Sequence, residues 1–461
     1  MRVPTGAGEF APGLQAIRDE FGVPAGFPAA VEVAATTAAS RAPGRDHADR
    51  TGVHFVTLDP ATATDLDQAF AIESAGDDLL LRYAIADVGH FVRPGDILDR
   101  EARSRGVTVY VPDEKAPLYP SVLSEGAASL LPDGPRPAVV FIVRVDPDGG
   151  VRLDGVERAV IRSRAKLAYD TARPDDLPRH FAELSARIVA AEERRGAPRV
   201  EFPEQEVAVD GHGRFELSLR PRLASEDQNA GMSLATNLAV ADALHAAGTG
   251  LFRVMAEPPP GSIDRLRLSA KALGLTWSPS KDLAQFERSL SPVDPRAAAF
   301  LIAVRRASGG ASYEGYREGV TPWHAAMAAT YSHATAPLRR LADRYVVEAA
   351  WSVANGRAVP DDVEAAFAEL PAVMDAGEAL AGRVDRAVVD LAEAVLLAGR
   401  EGDTFDGLVI DEDDRGAIVQ LSEPPVIARV VAHRVDPGDQ VRVTVDTVDL
   451  ERRRVELRRV G

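Results

Sequence analysis

"TLDPATATDLDQAF", residues 57–70, places Asp59, Asp65 and Asp67 within nine positions, among small and apolar residues and with no Lys or Arg between them. If residues 64–68 are extended, Asp65 and Asp67 face one way and Leu66 the other, while Asp59 returns to the same place around the "PATAT" turn. Three converging carboxylates repel and raise one another's pKa values unless a cation compensates. A hard divalent ion with oxygen ligands, Mg2+ or Mn2+, is the natural compensator. A solvated Asp/Thr-rich turn would carry the same residues, and the triplet alone leaves both readings open. A calcium loop of EF-hand type is excluded, because Phe70 stands where that loop requires glycine.

Outward from this stretch, "HFVTLD" (54–59), "LLLRYAIADV" (79–88) and "AVVFIVRV" (138–145) read as strands, and Ala-rich helical patterns follow Ser225. Strands first and helices later predict an α+β fold, a mixed sheet surrounded by helices. Ahead of it, a helix over residues 12–21, a "GVPAGFP" turn and a second helix through "AAVEVAATTAASR" form a short segment, 1–48. That segment suits a packing arm or a small helix-turn-helix. Behind it, residues 399–461 hold five short β-rich runs, in one of which Val441, Val443 and Val445 alternate with Arg442 and Thr444. Five strands in such a length predict a small OB-type barrel. The long middle, 49–398, is expected to be the main domain.

Composition narrows the function classes. The 461 residues include no cysteine, which excludes disulfides, thiolate zinc sites and a cysteine nucleophile and suits a reducing cytoplasm. The start "MRVPTGAGEFAPG" has no apolar core of a signal peptide, and the longest apolar runs fall far short of a bilayer span. A cytoplasmic, soluble protein is expected. The net charge of -17 argues against a wholly basic nucleic-acid binder but leaves room for a basic channel in an acidic shell. Phosphate-loop, H-E-x-x-H and G-x-S-x-G motifs are absent, the nine His are scattered, and His90 reads as structural.

A second stretch raises the odds of a phosphate site. "YSHATAPLRRLADRY" (331–345) puts Pro337 where the first turn of a helix accepts it, with Arg339 and Arg340 directly after. Two arginines at a helix N-terminus oppose its dipole, which becomes favourable when an anion such as phosphate sits there. Surface ion pairs with Asp343 or more distant acids are the alternative.

Taken together, "TLDPATATDLDQAF", "YAIADVGHFVRPGDILDREARSRGVTVYVPDEKAPLYPSVLSEGAASLLP", "IRSRAKLAYD" and "YSHATAPLRRLADR" resemble successive blocks of the RNB catalytic domain of the ribonuclease II and ribonuclease R family, in order, over roughly residues 50–395. The C-terminal runs resemble the S-one type of OB-fold that ends these enzymes. The resemblance implies processive, Mg2+-dependent 3′-to-5′ hydrolysis of single-stranded RNA to nucleoside 5′-monophosphates, by a monomer without a nucleotide cofactor. It implies that Asp59, Asp65 and Asp67, with Gln68 at the family's fourth Asp position, hold one or two metal ions. Asp67 and Arg339 carry the catalytic roles it implies, Arg339 on the scissile phosphate and Arg340 in support. Tyr110 and Tyr169 match tyrosines that stack on the 3′-terminal nucleotides, with Phe202, Asp385 and Phe405 as further RNA contacts.

The departures are equally specific. Gln68 removes one charge, and "QNAG" stands where the family has an acidic pair, so that Glu226 or Asp227 would have to substitute. About 48 residues ahead of the main domain cannot hold a cold-shock barrel. The same sequence therefore also suits an inactive RNA-binding adaptor on a nuclease scaffold.

Overall fold

The computed structural model describes residues 7–198, 204–209, 215–220, 222–291, 294–307, 309–413, 416–431, 435–436 and 438–460. At its centre lies a seven-stranded sheet in the order Ala48–Asp49, Val151–Ile161, Arg136–Val145, Asp78–Ala86, Gln68–Ala75, Phe55–Asp59, Ser163–Ala168. The inner pairs are antiparallel, and the outermost pair on each side is parallel. Arg136–Val145 is buried at seven of its ten positions, as its run of Val, Phe and Ile requires of a strand covered on both faces. The Ala-rich helix Ala224–Ala246 packs over the sheet, its Ala235, Ala239 and Ala241 letting the backbones approach closely. This is the mixed α+β architecture the sequence predicts.

The sheet explains the acidic loop. Phe55–Asp59 and Gln68–Ala75 are antiparallel neighbours, so one ends and the other begins at the same edge of the sheet, with residues 60–67 between them. Leu66 is fully buried and pinned on both sides, its N–H donating to Ser129 Oγ at 2.9 Å and its carbonyl accepting from Leu130 N at 3.0 Å. With Leu66 fixed inward, Asp65 and Asp67 line a cavity on the other side.

The long helix Asp361–Leu397 joins two cores. Its Leu370 and Met374 belong to the core of the sheet, and its Val384, Val388, Leu391 and Val395 to a second core shared with the barrel. The helix Ala7–Phe21 lies along it and buries Phe10, Leu14 and Ile17, one stripe at helical spacing. Contact there is close: a Cβ on Gly13 would lie 2.6 Å from Leu391 Cδ2. This helix begins earlier than the expected position 12, and Pro12 sits inside it. The second helix, Ala29–Ala39, buries Val31, Ala35 and Ala38 against the helix Ile97–Arg105 and the turn Leu123–Ala127. Both helices of the segment thus bury an apolar face against the rest of the fold.

The C-terminal strands close into a barrel in the order Thr404–Asp413, Gly416–Leu421, Ile427–Val431, Arg454–Arg459, Gln440–Asp449. Val441, Val443 and Val445 all point into its core, as their alternation predicts. Glu393 fastens the barrel to the long helix, its Oε1 accepting from Ile427 N and from Gln205 Nε2, both at 2.7 Å. Among the described residues, no helix is long and apolar enough to cross a membrane.

Candidate active site

A cavity of about 1040 Å3 opens at the edge of the sheet where the acidic loop lies. Asp59, Asp65, Asp67, Tyr110, Tyr169 and Arg339 all face it, although they come from four separate stretches of chain. The environments of the three carboxylates differ sharply. Asp59 ends its strand, and its Oδ2 is buried without a hydrogen-bond partner. Burial pushes its pKa up to about 6, against the pull of the Arg339 charge. Asp67 is 5% exposed, and its Oδ1 accepts from Leu338 N at 2.7 Å while its Oδ2 lies 3.6 Å from Arg339 Nε. Burial pushes Asp67 up to about 8, again against Arg339. Asp65 is satisfied on both oxygens: Lys115 Nζ pairs with Oδ1 at 2.8 Å, and the Tyr110 hydroxyl lies 3.4 Å from Oδ2.

The arginine stretch folds differently from the expectation. The helix begins only at Leu341, with Arg340 as its N-cap, so Pro337 and Arg339 lie in the turn before it. Proline at 337 fits that turn, and the two arginines take separate roles. Arg339 is half exposed and reaches the cavity. Arg340 is committed to Asp343, with Nε on Oδ1 at 3.0 Å and Nη2 on Oδ2 at 2.8 Å, so its contribution is to hold the turn. Asp343 also accepts from Ala336 N at 2.7 Å.

Gln68, at the fourth acidic position of the motif, lines the cavity, but its amide is engaged by the protein. Its Nε2 donates to the Thr335 carbonyl at 2.7 Å, and its Oε1 accepts from Tyr83 at 2.5 Å and from Ser233 Oγ at 3.3 Å. Both ends of the amide are therefore used in protein contacts, and successive residues, Asp67 and Gln68, tether the turn that presents Arg339. The direction of Gln68 could not be read from its position in the chain, because its partners lie far away in sequence.

Tyr110 is 52% exposed, an aromatic face offered to the cavity. Tyr169 is half-buried, and its hydroxyl accepts from Asn229 Nδ2 at 2.9 Å. Desolvation of the hydroxyl, with the Asp65 charge beside it, raises the Tyr110 phenol above its ordinary range, and burial raises Tyr169 to about 12, so both rings stay neutral. Glu226 and Asp227 also line the cavity. Three other sequence candidates do not join it. Phe405 is 8% exposed in the barrel core, with the Arg400 guanidinium over its ring, and has no open face for a base. Asp385 is exposed on the long helix and is not among the residues lining the cavity. Phe202 lies outside the described residues. The residues that sequence reasoning missed are Lys115 and Asn229, whose partners become visible only when the chain is folded.

Comparison with known proteins agrees with this architecture. The RNB domain family matches residues 48–355, and the RNase II-type exonuclease C-terminal S1 domain matches residues 403–460. Ribonuclease R of Thermotoga maritima is 27% identical over 410 residues, covering 83% of this chain and 57% of its own length. The chain spans between about half and just under two thirds of the length of three such ribonuclease R relatives. Among solved structures, Mycoplasma genitalium RNase R in complex with ribose-methylated single-stranded RNA superposes with a TM-score of 0.87 at 20% identity, over 98% of this chain and 78% of that one. Yeast Ssd1, described as a pseudonuclease, superposes with a TM-score of 0.67 at 17% identity, over 89% of this chain and 52% of its own. Likeness to both leaves activity to be argued from the site, but the profile match covers more than half of the sequence, and on that ground the chain belongs to the RNB domain family.

Proposed function

We propose that this chain is a metal-dependent exoribonuclease that shortens single-stranded RNA from its 3′ end, releasing nucleoside 5′-monophosphates. One observation carries the reading: Asp59 Oδ2 is buried, has no partner, and belongs to a residue lining the same cavity as Asp67 and Arg339. A buried carboxylate without a partner is costly, and a divalent cation is the ligand that repays the cost. Asp59 and Asp67 are the residues that would hold it, Mg2+ by the chemistry of hard oxygen donors, with Mn2+ as a substitute. When bound, such an ion lowers the pKa of a water and neutralises charge on the phosphate.

The remaining work falls to this chain's own side chains. Arg339, fixed by the turn that Asp67 and Gln68 tether, offers its guanidinium to a phosphate oxygen entering the cavity. Tyr110 and Tyr169 offer aromatic faces to the terminal bases, a form of binding that tolerates every sequence. Their neutrality matters, because a phenolate would repel the RNA backbone. We assign the action to a monomer, as the family resemblance implies, and to the cytoplasm, which the absence of cysteine suits.

The second reading, an RNA-binding adaptor without activity, draws on Gln68, whose amide supplies no charge and is turned to Tyr83 and Thr335. A 5′-labelled single-stranded RNA, incubated with Mg2+ and with chelator and resolved over time, separates the two. The exoribonuclease gives a ladder that shortens from the 3′ end and stops with chelator. Intact RNA in both lanes, with binding retained in a shift assay, would establish the adaptor.

A further inference from the structure

Asp65 sits in the acidic motif, yet the structure treats it unlike Asp59. The short strands Val109–Tyr110 and Lys115–Ala116 pair so that Tyr110 stands directly opposite Lys115. Cross-strand partners project to the same face, and here both reach Asp65, the ammonium to Oδ1 at 2.8 Å and the phenol toward Oδ2 at 3.4 Å. Glu125, from the turn Leu123–Ala127, grips the same ammonium from the other side at 2.6 Å. Lys115 thus stands between two carboxylates, 22% exposed, in the kind of place a cation between acidic ligands would take.

Gln68 points the same way by an independent route. Its carbonyl is taken by Tyr83 and Ser233, and its NH2 faces the Thr335 carbonyl. Turning the amide over would set oxygen against oxygen at Thr335, so its oxygen stays with Tyr83 and Ser233, already accepting two hydrogen bonds. Among the described residues, no three His, Asp or Glu side chains form a group fit to hold a metal ion. Of the three motif carboxylates, Asp59 keeps an unpartnered buried oxygen, and Asp67 an oxygen whose nearest charge is Arg339 at 3.6 Å.

We infer that Lys115 is a built-in counter-ion that holds the place of a second cation at Asp65 and Glu125, leaving this site to take a single divalent ion at Asp59 and Asp67. The inference rests on the metal-dependent reading above and specifies it. The ammonium supplies one positive charge and three donors and needs no recruitment from solution. Displacing it by an ion would leave the Lys115 ammonium without either carboxylate partner.

The test counts bound ions rather than turnover. The full chain, stripped by chelator, is titrated with Mn2+ without RNA, and bound ions are counted by calorimetry and by electron paramagnetic resonance. The wild type is expected to bind a single Mn2+, Lys115→Arg the same, and Lys115→Met a second, because Asp65 and Glu125 are released. Asp59→Asn is expected to lose the first ion. Two ions in the wild type would overturn the inference while leaving metal dependence intact, and so would a single ion in both the wild type and folded Lys115→Met. No ion in the wild type would overturn the metal-dependent reading itself. Lys115→Arg keeps the charge and does not depend on the Met variant folding, so a second ion in Lys115→Arg would also count against the inference.

Discussion

Two regions of this molecule bury aspartates, and they do so in opposite ways. Asp99, fully buried on the helix Ile97–Arg105, is satisfied on every side. Its Oδ1 accepts from Arg344 and, at 2.7 Å, from the Tyr345 hydroxyl, while its Oδ2 accepts from Gly95 N at 2.7 Å and Arg103 Nε at 3.1 Å. Burial opposes its ionisation, but Arg344 and these donors prevail and hold its pKa below the usual carboxylate range. At the cavity the balance is reversed: burial prevails over Arg339, and Asp59 and Asp67 are pushed up to about 6 and about 8. Burial alone therefore does not mark a functional carboxylate. What sets Asp59 apart is a buried oxygen that no protein donor reaches, on a residue that lines a cavity.

The contrast can be broken first at Asp99. Asp99→Asn strands the Arg344 guanidinium, and a cost of about 3 to 5 kcal/mol is expected, seen as a large fall in the unfolding midpoint. A midpoint within a degree or two of wild type would mean that the cluster is not the structural ion pair described here.

Glu393 sharpens the comparison, because it is buried, hydrogen-bonded and still uncompensated in charge. Burial raises its pKa to about 7, despite the Ile427 and Gln205 donors that favour the ionised form. A raised carboxylate pKa stabilises the fold fully below the ordinary value of 4.5, and this stabilisation is lost as the pH rises through about 7. The loss amounts to about 3 kcal/mol. Glu393→Gln should abolish that part of the pH dependence, which unfolding curves at pH 5 and pH 8 would reveal; equal slopes in both proteins would remove Glu393 as the cause.

The smallest effect is expected at Tyr169. Loss of the ring in Tyr169→Ala should weaken RNA binding by about tenfold, whereas Tyr169→Phe keeps the face and loses only the Asn229 bond. Equal weakening by both would show that the hydroxyl, and not the face, does the binding.

Much of this was legible in the sequence. Periodicity gave three of the seven sheet strands and the barrel, since Val441, Val443 and Val445 need only local alternation to point inward. The acidic loop was legible for the same reason, with Leu66 inward and its neighbours outward. The pairing of Lys115 with Asp65 and the direction of Gln68 were not, because each depends on contacts between segments far apart in the chain. Phe405 misled for the converse reason: an aromatic on a barrel strand has the same local pattern whether its ring faces RNA or the core.

The central claim is that Asp59 and Asp67 are kept uncompensated in the cavity for the sake of activity. Asp59→Asn tests it most directly when RNA hydrolysis and the unfolding midpoint are measured on the same preparation. The account predicts that hydrolysis falls by at least about 100-fold while the midpoint is held or rises, because a buried charge without a partner has been removed. Hydrolysis retained alongside a fall in the midpoint of several degrees would contradict it, and would make Asp59 a structural residue of the same kind as Asp99.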